Sequence, residues 1–301
     1  MRLQPKDSVE VIQDVESMVV ERIADWRKAN NATWPKNILY YRDGVSEGQY
    51  VQVKDLELRQ IGKAVAQAAK NAGLKVVPKV KLTAVVVAKR HHVRFFPKHG
   101  EAMKGNGNCQ PGTLVDRVIT SPFYQDFYLQ SHNGLKGTAK PAHYFVLVNE
   151  MGLGETVLQS FTHNLCYTYV RATLGVSYAP PAYYADRLCE RGRCYLRRFF
   201  VADAKLRSDL EDLKFVLQLE YREKRKVEFG GKGQGGGESG KGGKGMNKKE
   251  IEREVEHKKA ILETLKKDTL MKARVEFYRW KGGVEEGNPW AERLGETMFW
   301  M

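Results

Sequence analysis

Residues 40–50, Tyr-Tyr-Arg-Asp-Gly-Val-Ser-Glu-Gly-Gln-Tyr, pass from an apolar, aromatic run through a polar turn into a helical pattern. Ile38, Leu39, Tyr40 and Tyr41 suit a buried strand, and Asp43-Gly44 ends it. From Tyr50 to Asn71 the spacing of Leu56, Ile61, Val65 and Ala68 predicts a helix with one apolar face. Gly73 is placed as its stop, because the residue past a helix end often takes a left-handed conformation that glycine adopts without steric cost.

Upstream, Ile12, Val15, Val19, Ile23 and Trp26 recur at three- and four-residue steps and predict a helix starting near Asp7, with Asp7 and Glu10 spaced as a capping box. Downstream, Thr83–Ala88 is β-branched and uninterrupted, the composition of a strand buried on both faces. Further strands are expected over Thr113–Thr120, Asp126–Ser131 and Tyr144–Val148, and helices over Glu155–Ala172 and from Pro181 onward. This alternation predicts an α/β fold, a mixed sheet with helices on both faces. After about Phe200 the composition changes. Residues 205–227 and 247–280 are rich in Lys, Glu and Leu and read as helices, whereas ten of the sixteen positions from Gly230 to Gly245 are glycine and read as a flexible Gly/Lys linker. The expected division is a main domain over 1–202, a low-complexity insertion over 203–285 and a closing tail over 286–301.

The 301 residues carry 50 Lys and Arg against 36 Asp and Glu, a formal charge of +14, which favours a polyanionic partner. No run approaches the roughly 20 apolar residues of a membrane span, and the N-terminus lacks a signal-peptide pattern, so a cytoplasmic or also nuclear location away from membranes is expected. Cys109, Cys166, Cys189 and Cys194 show neither a paired spacing nor a zinc-ligand pattern and read as reduced thiols. Between Lys75 and Lys98 stand seven Lys or Arg and no acid. The densest part, Lys89-Arg90-His91-His92-Val93-Arg94, directly follows the buried strand and so lies at the sheet rim. It reads either as a phosphate-binding row or as a solvated basic edge.

The string Tyr40–Tyr50 resembles the PIWI core of eukaryotic Argonautes. KRHHVRFF (Lys89–Phe96), FYLQSHNGLKGTAKPAHY (Phe127–Tyr144), CYTYVRAT (Cys166–Thr173) and APPAYYAD (Ala179–Asp186) are similar to family strings in the same order, together covering roughly residues 8–200. The closing GETMFWM resembles the family's short aromatic C-terminus. The resemblance implies a ribonuclease H-like sheet, a small guide RNA and a complementary target RNA as partners, proteins of a silencing complex, and Mg²⁺ (or Mn²⁺) held by a set of acids. Glu10, Asp43 and Asp186 fall on three of those catalytic positions, Asp43 and Asp186 as metal ligands, with Asp186 standing where many relatives carry histidine. The first aspartate of the set has no counterpart, since the strand that would carry it precedes Met1. A sheet lacking its first strands, a weakly held metal, and RNA binding without cleavage are therefore expected. An active RNA-guided endonuclease whose N-terminal part is absent from this sequence is the alternative. A basic protein that binds RNA non-specifically is a third reading, which needs no resemblance.

By the same resemblance His132, Lys140, Tyr169, Arg171, Ser177, Tyr183 and Arg191 are contacts to the guide backbone, with Arg191 at the position that touches the 5′ phosphate. Bland roles stand beside these. Asp43 suits a local turn hydrogen bond, Glu10 a helix cap and Asp186 the dipole of a helix N-terminus, while Tyr169 and Tyr183 suit a core.

Overall fold

The computed structural model describes residues 10–194 and 248–277. Helix α1 (Val15–Ala29) is capped by Asp14, whose carboxylate accepts from the Ser17 N–H at 3.3 Å. The expected start near Asp7 is therefore corrected. Asp7 lies outside the described residues, and Glu10 precedes the helix. The reason is long-range: the Ile12 N–H donates to Glu57 at 2.8 Å and the Val15 N–H to Gln60 at 2.9 Å, which takes up donors that an earlier helical turn would need.

Strand β1 (Asn37–Asp43) leads into one helical run of changing pitch. A 3₁₀ turn at Glu47–Gln49 is followed by α2 (Tyr50–Gln52), a π turn at Val53–Leu58 and α3 (Arg59–Asn71). The π turn overrides the expected periodicity. It advances the helix phase, so that Val53, Glu57 and Leu58 turn inward while Leu56 is exposed. At the far end Gly73 has φ +73°, the Gly73 N–H reaches the Lys70 carbonyl and the Leu74 N–H reaches Ala69, the pair of bonds that closes a helix through a left-handed residue.

The remaining strands are β2 (Lys81–Ala88), β3 (Thr113–Val115), β4 (Asp126–Gln130) and β5 (Ala142–Asn149), in sheet order β1-β2-β5-β4-β3. Strand β3 is shorter than expected. Val118 takes a left-handed φ of 72°, which a ladder cannot accommodate, and Asp126 draws the Ser121 N–H into a local turn. Helix α4 (Glu155–Leu165) likewise ends before Ala172, with Tyr167 and Thr168 folding back on Asn164 and Leu165. Helix α5 covers 180–194, and α6 (Lys248–Phe277) lies within the helix expected over 247–280 and belongs to a separate unit of the chain. The helix expected at 205–227, the glycine-rich linker and the closing tail lie outside the described residues. None of the described helices is long and apolar enough to cross a membrane.

Alternation along β1 and β2 builds two cores. Tyr41, Val85 and Val87 pack with Phe127, Leu129, Tyr144, Leu158 from α4 and Ala182 from α5. Ala84, with the partly buried Ile38 and Tyr40, meets Val15 from α1 and Ile61 from α3 on the opposite face. Helices thus cover both faces of the mixed sheet, as the sequence pattern requires. Strands β1 and β2 are parallel and in register, Asp43 opposite Val87, so their carboxyl ends emerge side by side.

Candidate functional site

The two parallel strand ends open onto a cavity of about 740 Å³. Asp43 from β1, Asp186 from α5 and Glu10 from the segment before α1 all line it, together with Arg42, Lys89, Arg90 and Tyr178. The acids expected from far-apart stretches therefore share one wall space. Burial raises the Asp43 carboxyl above its ordinary range, and the like charge of Asp186 pushes the same way, while Arg42, Arg90 and the Gly44 N–H oppose the rise. Asp186 also lies 3.8 Å from the neighbouring Arg187 guanidinium. Burial, Asp43 and Asp186 push the Tyr178 phenol up as well, which places its hydroxyl in the field of the acid pair.

Mg²⁺ takes oxygen ligands and is commonly held through one or two carboxylates completed by water, so Asp43 and Asp186 are the residues that would hold such an ion here. Among the described residues no group of three or more His, Cys, Asp or Glu side chains is close enough to hold a metal ion.

Beside the acids runs a row of cations. Lys89 donates to the carbonyls of Lys140 (2.5 Å) and Ser177 (3.5 Å), and burial with the nearby Lys140 and Arg94 lowers its ammonium to about 8. His132 is pushed down to about 4 by burial and by Lys89, and its Nδ1 is buried without a partner. His91 bonds the Pro141 carbonyl at 3.0 Å and is lowered chiefly by burial. Arg94 braces the carbonyls of His91 and Val93. No carboxylate lies within ion-pair distance of Lys89, Arg90, Arg94 or Lys140 among the described residues. Cations not tied up in ion pairs are what bound phosphates would neutralise.

The other expected contacts sit on the loop after α4 and on α5. Ser131 donates to the Val176 carbonyl at 2.6 Å, and a Cβ at Gly175 would stand 2.5 Å from the Ser131 carbonyl, so only glycine lets this loop close onto the end of β4. Tyr169 packs on Tyr183 (4.6 Å) and Tyr184 (4.9 Å), Tyr178 stacks on Tyr183 (4.8 Å), and the Arg187 guanidinium lies 5.4 Å from the Tyr183 ring centre. Tyr169 and Tyr183 thus spend ring faces on one another. Ser177 joins the Lys89 cluster through its carbonyl, and His92, Arg171 and Arg191 are exposed.

Sequence reasoning missed Arg42, Glu57 and Tyr178. Arg42 and Glu57 form a buried ion pair at 3.0 Å behind the acid cleft. Nothing local announces that pair, because the π turn that buries Glu57 has no spacing signature. Tyr178 carried a signal: it stands between Ser177 and the helix that delivers Asp186.

Residues 2–197 match the Piwi domain family. Among similar proteins are protein argonaute 5 of Arabidopsis thaliana, 44% identical over 200 residues that make up 64% of this chain and 19% of the relative. Protein argonaute-2 of Drosophila melanogaster is 43% identical over 197 residues, 65% of this chain and 15% of the relative. Among solved structures, the C-terminal lobe of a budding yeast Argonaute superposes with a TM-score of 0.62 at 36% identity, covering 66% of this chain and 41% of that one. Kluyveromyces polysporus Argonaute with a guide RNA superposes with a TM-score of 0.61 at 38% identity, covering 65% and 24%. The matched stretch is less than a fifth of the length of these two curated relatives.

Proposed function

Because the chain belongs to the Piwi domain family, we propose that it binds a guide RNA and its complementary target in RNA silencing, and that as it stands it does not cleave the target. The observation that carries the binding is the cluster Lys89, Arg90, Arg94 and Lys140, none in an ion pair with a carboxylate among the described residues, with Lys89 and Arg90 lining the cavity. Contacts of this kind hold a backbone and leave sequence to base pairing. In this reading Asp43 and Asp186 would hold a Mg²⁺ or Mn²⁺ ion only weakly. We place this activity in the cytoplasm or also the nucleus, with silencing-complex proteins as further partners.

The test is binding of a short single-stranded RNA with and without a 5′ phosphate, followed by fluorescence anisotropy. Arg191 is assigned to that phosphate, since the planar fork of a guanidinium suits it. Arg191→Ala is expected to weaken the phosphorylated RNA about tenfold, a lost charge-assisted contact, and the unphosphorylated RNA much less. Equal losses would remove the assignment. The convergence of Asp43 and Asp186 in one cavity favours the endonuclease as the second reading. Mg²⁺-dependent cutting of a guide-matched target, abolished in Asp43→Ala, would establish it in place of binding alone.

A pH dependence follows from Lys89. Its ammonium titrates near 8, so it is charged at pH 7 and loses its charge by pH 9. RNA affinity is expected to fall over that interval, and Lys89→Arg, charged throughout, is expected to flatten the fall. A wild-type affinity constant from pH 7 to pH 9 would exclude Lys89 as a phosphate contact.

A further inference from the structure

We propose that the buried Arg42–Glu57 pair is a positioning device for the acid cleft, in which one guanidinium ties the segment carrying Glu10 to the turn carrying Asp43 so that both carboxylates face one cavity. The inference rests on reading that cavity as part of the RNA site. Its basis is the fan of bonds from Arg42. Nε donates to both Glu57 oxygens, at 3.1 and 3.0 Å, and Nη2 donates to Oε1 at 3.1 Å. The same Nη2 also reaches the Glu10 carbonyl, and Nη1 reaches the Asp43 carbonyl. Glu57 is fully buried, and its remaining capacity accepts the Ile12 N–H at 2.8 Å and the Tyr40 hydroxyl at 3.1 Å.

Two chain segments 32 residues apart are thus joined through one side chain, with no backbone bond between them needed. The π turn is what puts Glu57 in position. Without the extra residue in that turn the carboxylate would point elsewhere on the helix surface. Stability alone does not account for the charges, because a buried ion pair is often no more stabilising than well-packed apolar side chains of similar volume. An apolar pair has no donors for the carbonyls of Glu10 and Asp43 and no acceptor for the Ile12 amide. Lysine, a single point charge, does not supply the planar fork that reaches three partners at once.

The test uses the full chain carrying Arg42→Met together with Glu57→Leu, compared with wild type and with Arg42→Lys. The double substitution leaves no buried charge unpaired, so it separates positioning from folding. Amide exchange of Ile12 is expected to accelerate at least about tenfold while β2 amides stay protected. Mn²⁺ affinity, read by electron paramagnetic resonance, is expected to fall about tenfold, the usual loss when a group behind a metal ligand is removed. Arg42→Lys, which keeps the charge and loses the fork, is expected to move both readouts in the same direction, and it decides the matter if the double variant does not fold. Ile12 exchange at the wild-type rate in the folded variants would overturn the proposal. So would Mn²⁺ affinity equal to wild type, including no detectable binding by either. RNA binding by the unmodified chain is measured alongside: its failure would remove the proposed function and leave these two readouts standing.

Discussion

Arg42→Ala is expected to lower the unfolding free energy by about 3–5 kcal/mol, the range for breaking a buried ion pair from one side. Glu57 is fully buried, and Arg42 supplies three of the contacts to its carboxylate. The Tyr40 hydroxyl and the Ile12 amide remain after the substitution, but neither carries a charge. The carboxylate must then stay ionised in a core without a cation, take up a proton or drag its helix outward, and each costs free energy. Urea unfolding reads the effect as a lower midpoint at unchanged slope, on the condition that the denatured state is unaffected. Arg42→Met with Glu57→Leu should recover the part of the loss due to the unpaired charge, leaving the cost of the Ile12 amide and Tyr40 hydroxyl without their acceptor. A single-variant loss below about 1 kcal/mol, the scale of exposed pairs, would mean that water reaches Glu57 and that the pair is not buried in solution.

Lys89→Glu with Arg90→Glu should weaken single-stranded RNA binding by at least about a hundredfold at low salt, since each neutralised phosphate contributes counterion release and the new charges repel. The slope of log affinity against log salt should also shrink, by roughly 0.7 for each phosphate contact removed on a single strand. Lys89 is partly buried and bonds the Lys140 carbonyl, so its reversal perturbs the loop as well as the charge. Arg90→Glu alone is the control, because Arg90 is exposed and makes no bond to the fold among the described residues. Its circular dichroism should match wild type while its affinity falls about tenfold. An affinity within about threefold of wild type in the double variant would place the nucleic acid on another face of the protein.

Local chemistry was the readable part of this fold. Ile38–Tyr41 with Asp43-Gly44 announces a strand and its end, Thr83–Ala88 a doubly covered strand, and Gly73 a helix stop, because each depends on neighbours within a few residues. What escaped depends on partners far along the chain. Ile12 and Val15 lose their helical partners to Glu57 and Gln60, which moves the start of α1, and the π turn substitutes Glu57 for Leu56 on the inner face. The basic rim was legible as a cluster following a buried strand. Its neutralised histidine was not, because His132 is lowered by burial and by Lys89 from another strand end. The meeting of Asp43 with Asp186 is invisible to periodicity and followed only from likeness to known strings.

The register of β1 against β2 has a lateral consequence. Adjacent strands lie about 4.8 Å apart, so Asp43 at the end of β1 and Lys89 just past the end of β2 leave the sheet about one strand spacing from each other. If a polyanion settles on the β2 side, as the proposed function has it, a sideways displacement by that one step would bring its charge toward Asp43, and a divalent ion screening that carboxylate would lessen the repulsion.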